Sequence, residues 1–503
     1  MSKFNKTNSG VKTTNVAGGT SYERTDFKKE VASIILTSML NGDKYYEKES
    51  DRLNNLEKLI DNNIENAEFL AKSMVYVRNE GNLRSISHYI AVLLSEKVKG
   101  SSYMKDALAK IMIRPDDATE IISLWNTRNK NKMIPNPIRK ATKVSLEKRW
   151  DAYQLKKYYG NGSVKVSNLV QLTHPKPVDE AQKLTFKQVL ENTLPNIDTA
   201  QTVNAGETGK DRSKKYLKML KDRKLGYMGL LKNLKNILLS YAELKGKKQD
   251  ELITHICSLL ENENACLKSR ILPFRFVQAY NMIETLTMDR LIMKKVLKSV
   301  ERGFILSAKN IPIVEEGESI ALLLDESGSM GGWGEFPTGK EPFSIGKTLM
   351  ASMLTGLDKD KTLGYLWADT AREVSIDGSP MDFIKNTRTH GGGTDVWAAI
   401  NGLIKSKTFV DKLVIFTDMQ MYSIGGGWGN KREFKDMVKE YRKINPNVKV
   451  LFWNLQGYSG GTPMKLDHNI MEVSGFSDKI LEVVPKIWKD KDALINEIEN
   501  ISL

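Results

Sequence analysis

Ser319 to Met330 reads SIALLLDESGSM, in which the apolar run Ala321 to Leu324 meets Asp325-Glu326-Ser327-Gly328-Ser329, a D-x-S-x-S spacing. One carboxylate and two hydroxyls supply oxygen ligands of the kind a hard divalent cation such as Mg²⁺ takes, and leave places for water or an outside acidic group. Gly328 lets the chain turn tightly enough to aim both serines at one ion. Taken alone, the pattern reads more simply as a solvated Ser/Gly turn. Two later stretches shift that balance. His390-Gly391-Gly392-Gly393-Thr394-Asp395 is a glycine loop ending in a hydroxyl before a helix expected over 396–404, and Lys412 to Asp418, KLVIFTD, is an apolar strand closing on Thr-Asp.

The order D-x-S-x-S, then G-G-T, then an apolar strand ending in T-D resembles the metal-ion-dependent adhesion site of von Willebrand factor A domains. The resemblance implies that Asp325, Ser327, Ser329, Thr394 and Asp418 surround one divalent cation, Mg²⁺ or similar, with Asp418 acting through a water. It also implies a contact in which a protein partner's carboxylate completes the shell.

These ligands need strands to deliver them. Ser319 to Asp325, Thr362 to Ala368, Lys412 to Asp418 and Val448 to Leu455 read as buried strands. Ser344 to Leu357, Asp395 to Lys405, Lys431 to Ile444 and Lys486 to Glu499 read as helices, and the alternation predicts a doubly wound α/β domain, Rossmann-like, over residues 311–503. Such sheets keep their sites at the carboxyl ends of the strands. Gly331-Gly332-Trp333-Gly334 and Gly425-Gly426-Gly427-Trp428-Gly429 read as flexible loops with an aromatic, either rims for a partner or mobile insertions.

The 503 residues suffice for two or three domains with their own cores. No apolar run is long enough to span a bilayer, and the start, MSKFNKTNSGVKTTN, lacks the apolar core of a signal peptide, so a cytoplasmic protein is expected. Two cysteines, Cys257 and Cys266, argue against a disulfide framework and against a cysteine-based zinc site. The net charge of +15 is uneven: residues 311–503 hold 22 Lys and Arg against 27 Asp and Glu, leaving 54 against 34 for residues 1–310. That asymmetry points the first part at a polyanion, the alternative being a general solubility bias.

Residues 1–20 read as a flexible tail. From Asp26 the apolar spacing is helical, with further amphipathic helices over 53–62, 66–79, 83–98 and 103–113, and no convincing strand before Ser319. Thr185-Phe186-Lys187-Gln188 fits a capping box that would open a helix, and Asn204-Ala205-Gly206-Glu207 reads as a loop. Helical hairpins in series over 21–310 predict an irregular HEAT-type solenoid, with a compact bundle as the alternative. Two basic runs lie within it. The first includes Arg128, Lys130, Lys132, Arg139, Lys140 and Lys143, with Trp150, Tyr153, Tyr158 and Tyr159 interleaved; the second includes Lys214, Lys215 and Lys218. Either run alone fits a solvated helix face, and the aromatics fit a core, whereas two runs in one domain favour a nucleic-acid surface.

Ala17-Gly18-Gly19, Arg24-Thr25-Asp26, Ile138-Arg139-Lys140-Ala141, Leu172-Thr173-His174-Pro175-Lys176-Pro177, Leu230-Leu231-Lys232-Asn233-Leu234 and Arg270-Ile271-Leu272-Pro273-Phe274 occur in an order that resembles the Ro autoantigen family. The likeness covers nearly the whole chain. It implies an all-α, HEAT-like TROVE ring followed by a von Willebrand A domain. It also implies binding of Y-RNA-like non-coding RNA on the outer surface and of single-stranded ends of misfolded RNA through the hole. The implied role is a ribonucleoprotein scaffold in RNA quality control or processing, monomeric as a protein, with a nuclease or other protein at the metal site. Onto this sequence the family's Y-RNA surface carries His174 and the basic helix with Arg139 and Lys140; Pro175 departs from the family turn in stiffness. The other class of function is a metal-dependent adhesion module without RNA. An enzyme is not expected: neither G-x-S-x-G nor H-E-x-x-H occurs at the site, and Ser327 stands where a D-x-D phosphatase carries its second carboxylate.

Overall fold

The computed structural model describes residues 12–15, 19–22, 26–37, 49–81, 83–130, 132–159, 162–195, 209–269, 271, 273–309, 314–331, 341–421, 434–456, 458, 461–466, 468–474, 484–490 and 492–503. The glycine loops at 332–334 and 425–429, the loop at 204–207, and residues 17, 18, 24, 25, 270 and 272 of the family motifs lie outside them. The chain forms two compact units, one of residues 1–53 with 259–495, the other of residues 54–258 with 496–503.

The second unit is helical. Its amphipathic segments fold as Glu49–Asn62, Ala67–Asn79, Arg84–Lys97, Met104–Ile111, Pro115–Arg128, Asn136–Lys148, Val166–Thr173 and Glu180–Glu191, with Gly209–Lys221, Tyr227–Leu239 and Lys247–Leu260 following. Early helices pack on a neighbour and on the next but one: 67–79 on 84–97 and on 104–111, 84–97 on 115–128, 104–111 on 136–148, 136–148 on 166–173. Stacked hairpins make that pattern, so it selects the solenoid over the bundle. The capping-box reading at Thr185 is overturned. The helix opens earlier, where the Asp179 carboxylate accepts from the Gln182 N–H (2.7 Å), and Thr185 lies inside it, its hydroxyl bonded back to the Ala181 carbonyl (2.9 Å).

A buried charge network ties three of these helices together. Asp117 accepts from Arg78 Nη2 (2.7 Å), Arg84 Nε (2.7 Å) and the Arg114 N–H (2.9 Å), and lies 3.1 Å from His88 Nε2. Burial alone would raise its pKa; the His88 and Arg78 hydrogen bonds and the Arg78 charge overcome this and hold the carboxyl far below the usual range.

In the other unit two short strands, β1 (Lys12–Thr14) and β2 (Thr20–Tyr22), pair antiparallel. Six more form one sheet: β3 (Ile320–Asp325), β4 (Thr362–Trp367), β5 (Ala371–Val374), β6 (Lys412–Thr417), β7 (Lys449–Asn454) and β8 (Ile470–Ser474), in the order β5-β4-β3-β6-β7-β8. All neighbours in it are parallel except the β4–β5 edge pair. From β3 the chain first moves to one side, then returns to the other at β6, which puts a topological switch point between two central strands. β3 and β6 are buried along their whole length because helices cover both faces. Ala321 and Leu323 join one core layer with Ala399, Ile400, Met437 and Tyr441, while the helix Pro342–Gly356 packs on β3, β4 and β6.

The structure departs from the sequence expectations in three places within this unit. β1 lies in the segment 1–20 read as a loose tail, and β2 begins at its last residue, Thr20, before the first expected strand. β5 and β8 escaped the sequence reading. The helix expected over 486–499 is broken: helical residues end at Ile487, turn residues follow at 488–489, and the next helix is Ala493–Glu499.

Candidate functional site

Candidate oxygen ligands lie at the switch point. Asp325 ends β3 and Asp418 follows β6, its pairing neighbour, and both are fully buried. Asp325 Oδ1 accepts the Ser327 N–H (2.9 Å) and Oδ2 accepts the Thr417 hydroxyl (2.8 Å), so one carboxylate organises both loops. A short 3₁₀ turn, Gly328–Met330, brings the Ser327 and Ser329 hydroxyl oxygens within 3.4 Å of each other.

The glycine loop docks on this turn. Gly328 N–H points to the Gly392 carbonyl (3.3 Å), and Asp395 N–H donates to the Ala368 carbonyl at the end of β4 (3.1 Å). Gly392 has φ +97, and a Cβ there would fall 2.4 Å from Asp369 Oδ2, so only glycine fits. Asp369 in turn accepts the Gly393 N–H with both oxygens (3.0 and 3.1 Å). Thr394 is left buried between these anchors. Asp418 Oδ1 accepts the Gln420 N–H (3.0 Å).

Burial, and then the Asp418 charge, push the Asp325 carboxyl well above the ordinary range, against the hydrogen bonds from Ser327 and Thr417. Two buried carboxylates that repel each other, with the Ser327 and Thr417 hydroxyls bonded to Asp325 and Ser329 beside Ser327, are a donor set that suits a hard cation, which would neutralise the repulsion. Among the described residues no group of three His, Cys, Asp or Glu side chains is placed to hold a metal ion, so nothing at the site matches a zinc-type cluster. The residues therefore fit the divalent ion that the motif implies. Sequence reasoning missed the supports: Asp369 under the glycine loop, and Glu326, which is buried and held by Arg372 (2.9 Å) with His390 Nδ1 at 3.3 Å.

The basic residues sort less simply. Arg128 is committed within the fold, its guanidinium bonded to Glu57 (2.8 and 2.9 Å) and Glu96 (2.8 Å) and stacked over Tyr89. Trp150 is buried and donates to the Ile113 carbonyl, and Tyr159 donates to the Val189 carbonyl, so these aromatics serve the core. Lys130, Lys132 and Lys140 are exposed.

The helix Asn136–Lys148, which carries Arg139 and Lys143, packs on the helix that His174 closes. Arg139 Nη2 reaches the Leu172 carbonyl (3.5 Å), while Glu147, 4.0 Å from Lys143 Nζ, accepts the Lys176 N–H (2.6 Å). His174 closes the helix Val166–Thr173 in a left-handed conformation (φ 43) and is exposed at the mouth of an open cleft of about 400 Å³ lined by Val170, Phe186 and Leu190. Lys214 and Lys218 are exposed along the helix Gly209–Lys221, Lys214 3.6 Å from Asp211, and Lys215 is half-buried.

A family model, the TROVE domain, matches residues 216–310. No curated protein matches the chain. Among solved structures, the Ro (RSR) protein of Deinococcus radiodurans is similar in fold, with a TM-score of 0.61 and 15% identity, over 91% of this chain and 100% of that one. The chain thus carries a TROVE segment and, along most of its length, shares the fold of that structure.

Proposed function

We propose that the chain is an RNA-binding scaffold. Its helical repeats take structured non-coding RNA of the Y-RNA type and single-stranded ends of misfolded RNA, and its α/β portion holds Mg²⁺ through Asp325, Ser327, Ser329 and Thr394, with Asp418 acting through a water. The observation that carries the RNA reading is the packing of the basic helix with Arg139, Lys140 and Lys143 beside the turn that exposes His174, in a chain that bears a TROVE segment. Lys140 on the same helix, and Lys214, Lys215 and Lys218 on another, add phosphate contacts; Arg128 does not, because Glu57 and Glu96 already neutralise it.

When bound, the cation supplies a Lewis-acidic position for a partner's carboxylate, such as that of a nuclease recruited to the ribonucleoprotein. This chain's residues bind and orient the ion, and no catalytic step is assigned to them. Among the described residues no helix is long and apolar enough to cross a membrane, and we place the protein in the cytoplasm, where two buried cysteines that form no disulfide are stable.

Charge reversal tests the RNA surface. Lys140→Glu with Lys143→Glu is expected to weaken binding of a small structured RNA about tenfold or more in a filter-binding assay, and to flatten the salt dependence by about two phosphate contacts. His174→Ala should weaken it further without altering that slope. Unchanged affinity in both variants would remove this surface from the binding site and leave the adhesion-module reading, which the buried oxygen cradle alone favours.

A further inference from the structure

The segment before the first helix reaches the metal-site loop. Asn15 lies between β1 and β2 and is buried. Its side-chain oxygen accepts the Gly19 N–H (2.7 Å), and its own N–H donates to the Gly19 carbonyl (2.9 Å), which fixes the side chain within the strand pair. The amide nitrogen then points outward and donates to the Met421 carbonyl (2.7 Å) and toward the Met419 carbonyl (3.4 Å).

Those carbonyls belong to the loop that aims Asp418. Met419 sits at φ +66, a left-handed conformation uncommon for a residue with a side chain. Met419, Gln420 and Met421 are all buried, so the carbonyls that Asn15 bonds lie away from bulk water. The strand pair is also pinned at its far end: Tyr22 and Thr462 exchange both backbone hydrogen bonds (2.9 Å each), and the Ser21 hydroxyl donates to the Thr462 carbonyl (3.1 Å). Gly461 leaves no room for error there, since a Cβ would fall 2.1 Å from the Tyr22 carbonyl oxygen.

We propose that the β1–β2 pair is a strap whose Asn15 amide sets the 419–421 loop and so positions Asp418 for the cation, making Asn15 a positioning residue of the metal site. The proposal rests on the cation reading of Asp325 and its partners. A hydrogen bond outside the ligand set that fixes a ligand's direction commonly governs affinity as much as the ligand's own identity.

The experiment uses the full chain and Mn²⁺ as the probe, followed by electron paramagnetic resonance, together with hydrogen exchange of the metal-free protein. Asn15→Ala is expected to weaken Mn²⁺ binding by about tenfold to a hundredfold and to speed exchange at the Met419 and Gln420 amides. Gly461→Ala, which lifts the strap at its other end and touches no ligand, is expected to do the same to a smaller extent. Wild-type protein that binds Mn²⁺, with Asn15→Ala binding equally well and exchanging equally slowly at 419–420, would overturn the proposal alone. Wild-type protein that takes up no Mn²⁺ would overturn the cation reading beneath it.

Discussion

Asp325→Ala is expected to lower affinity for Mg²⁺ or Mn²⁺ by at least about a hundredfold, measured by titration calorimetry on the full chain, because on the proposed reading it removes a carboxylate ligand. The same substitution does more than delete one oxygen pair. Asp325 accepts from Thr417 on β6 and from the Ser327 N–H in its own loop, so the two loops lose their common acceptor. Asp325→Asn separates the two effects: it keeps one oxygen, removes the negative charge, and relieves the repulsion that raises the Asp325 pKa beside Asp418. The metal-free Asp325→Asn variant should therefore fold as well as wild type while binding the cation poorly. Retention of wild-type cation affinity in both variants would sink the metal site.

Asp117→Ala is expected to destabilise the helical unit by about 3–5 kcal/mol in urea or thermal unfolding, because Arg78 is left buried without its carboxylate, while half-buried Arg84 keeps Asp116 and Glu120. Its pH dependence has a definite sign. The folded-state pKa of Asp117 lies below its unfolded value, so the stabilisation is complete above the unfolded pKa, about 4, and is lost as pH falls through and below it. Wild-type stability should thus decline from about pH 5 downward, and Asp117→Ala should flatten that decline. Glu120→Ala is the control: Glu120 touches the same Arg84 and His88 but is half exposed, and its loss should cost under about 1 kcal/mol. Equal effects of the two substitutions would contradict the burial argument.

How much of this was legible beforehand depended on whether the partners were local. β3 and β6 could be read because a strand buried on both faces is written as an unbroken apolar run, and the ligand loop because Asp325, Ser327 and Ser329 lie within one short stretch of chain. β5 escaped because it is a four-residue edge strand, AREV, with charged Arg372 half-buried and Glu373 exposed. β1 and β2 escaped for a related reason: only Ser21 is buried in them, so no apolar alternation marks them. What holds them, through Ser21, Tyr22 and the adjoining Asn15, is hydrogen bonding to Thr462 and Met421, far away in the chain. The basic runs show the same limit from the other side. Composition counted Arg128 as available charge, and only the packing of three helices revealed Glu57 and Glu96 closing on it. Thr185 looked like a helix start because its tetrapeptide fits a capping box, but Asp179, earlier in the chain, already supplied the cap.

The most direct measurement is the affinity of the full chain for a small structured RNA as a function of salt. Phosphate neutralisation by several Lys and Arg predicts a log–log slope of about −3 or steeper, and so at least about a fiftyfold loss of affinity between about 50 and 200 mM salt. Tight binding that is indifferent to salt, or no binding at the lowest salt, would contradict an electrostatic RNA surface on the helical repeats.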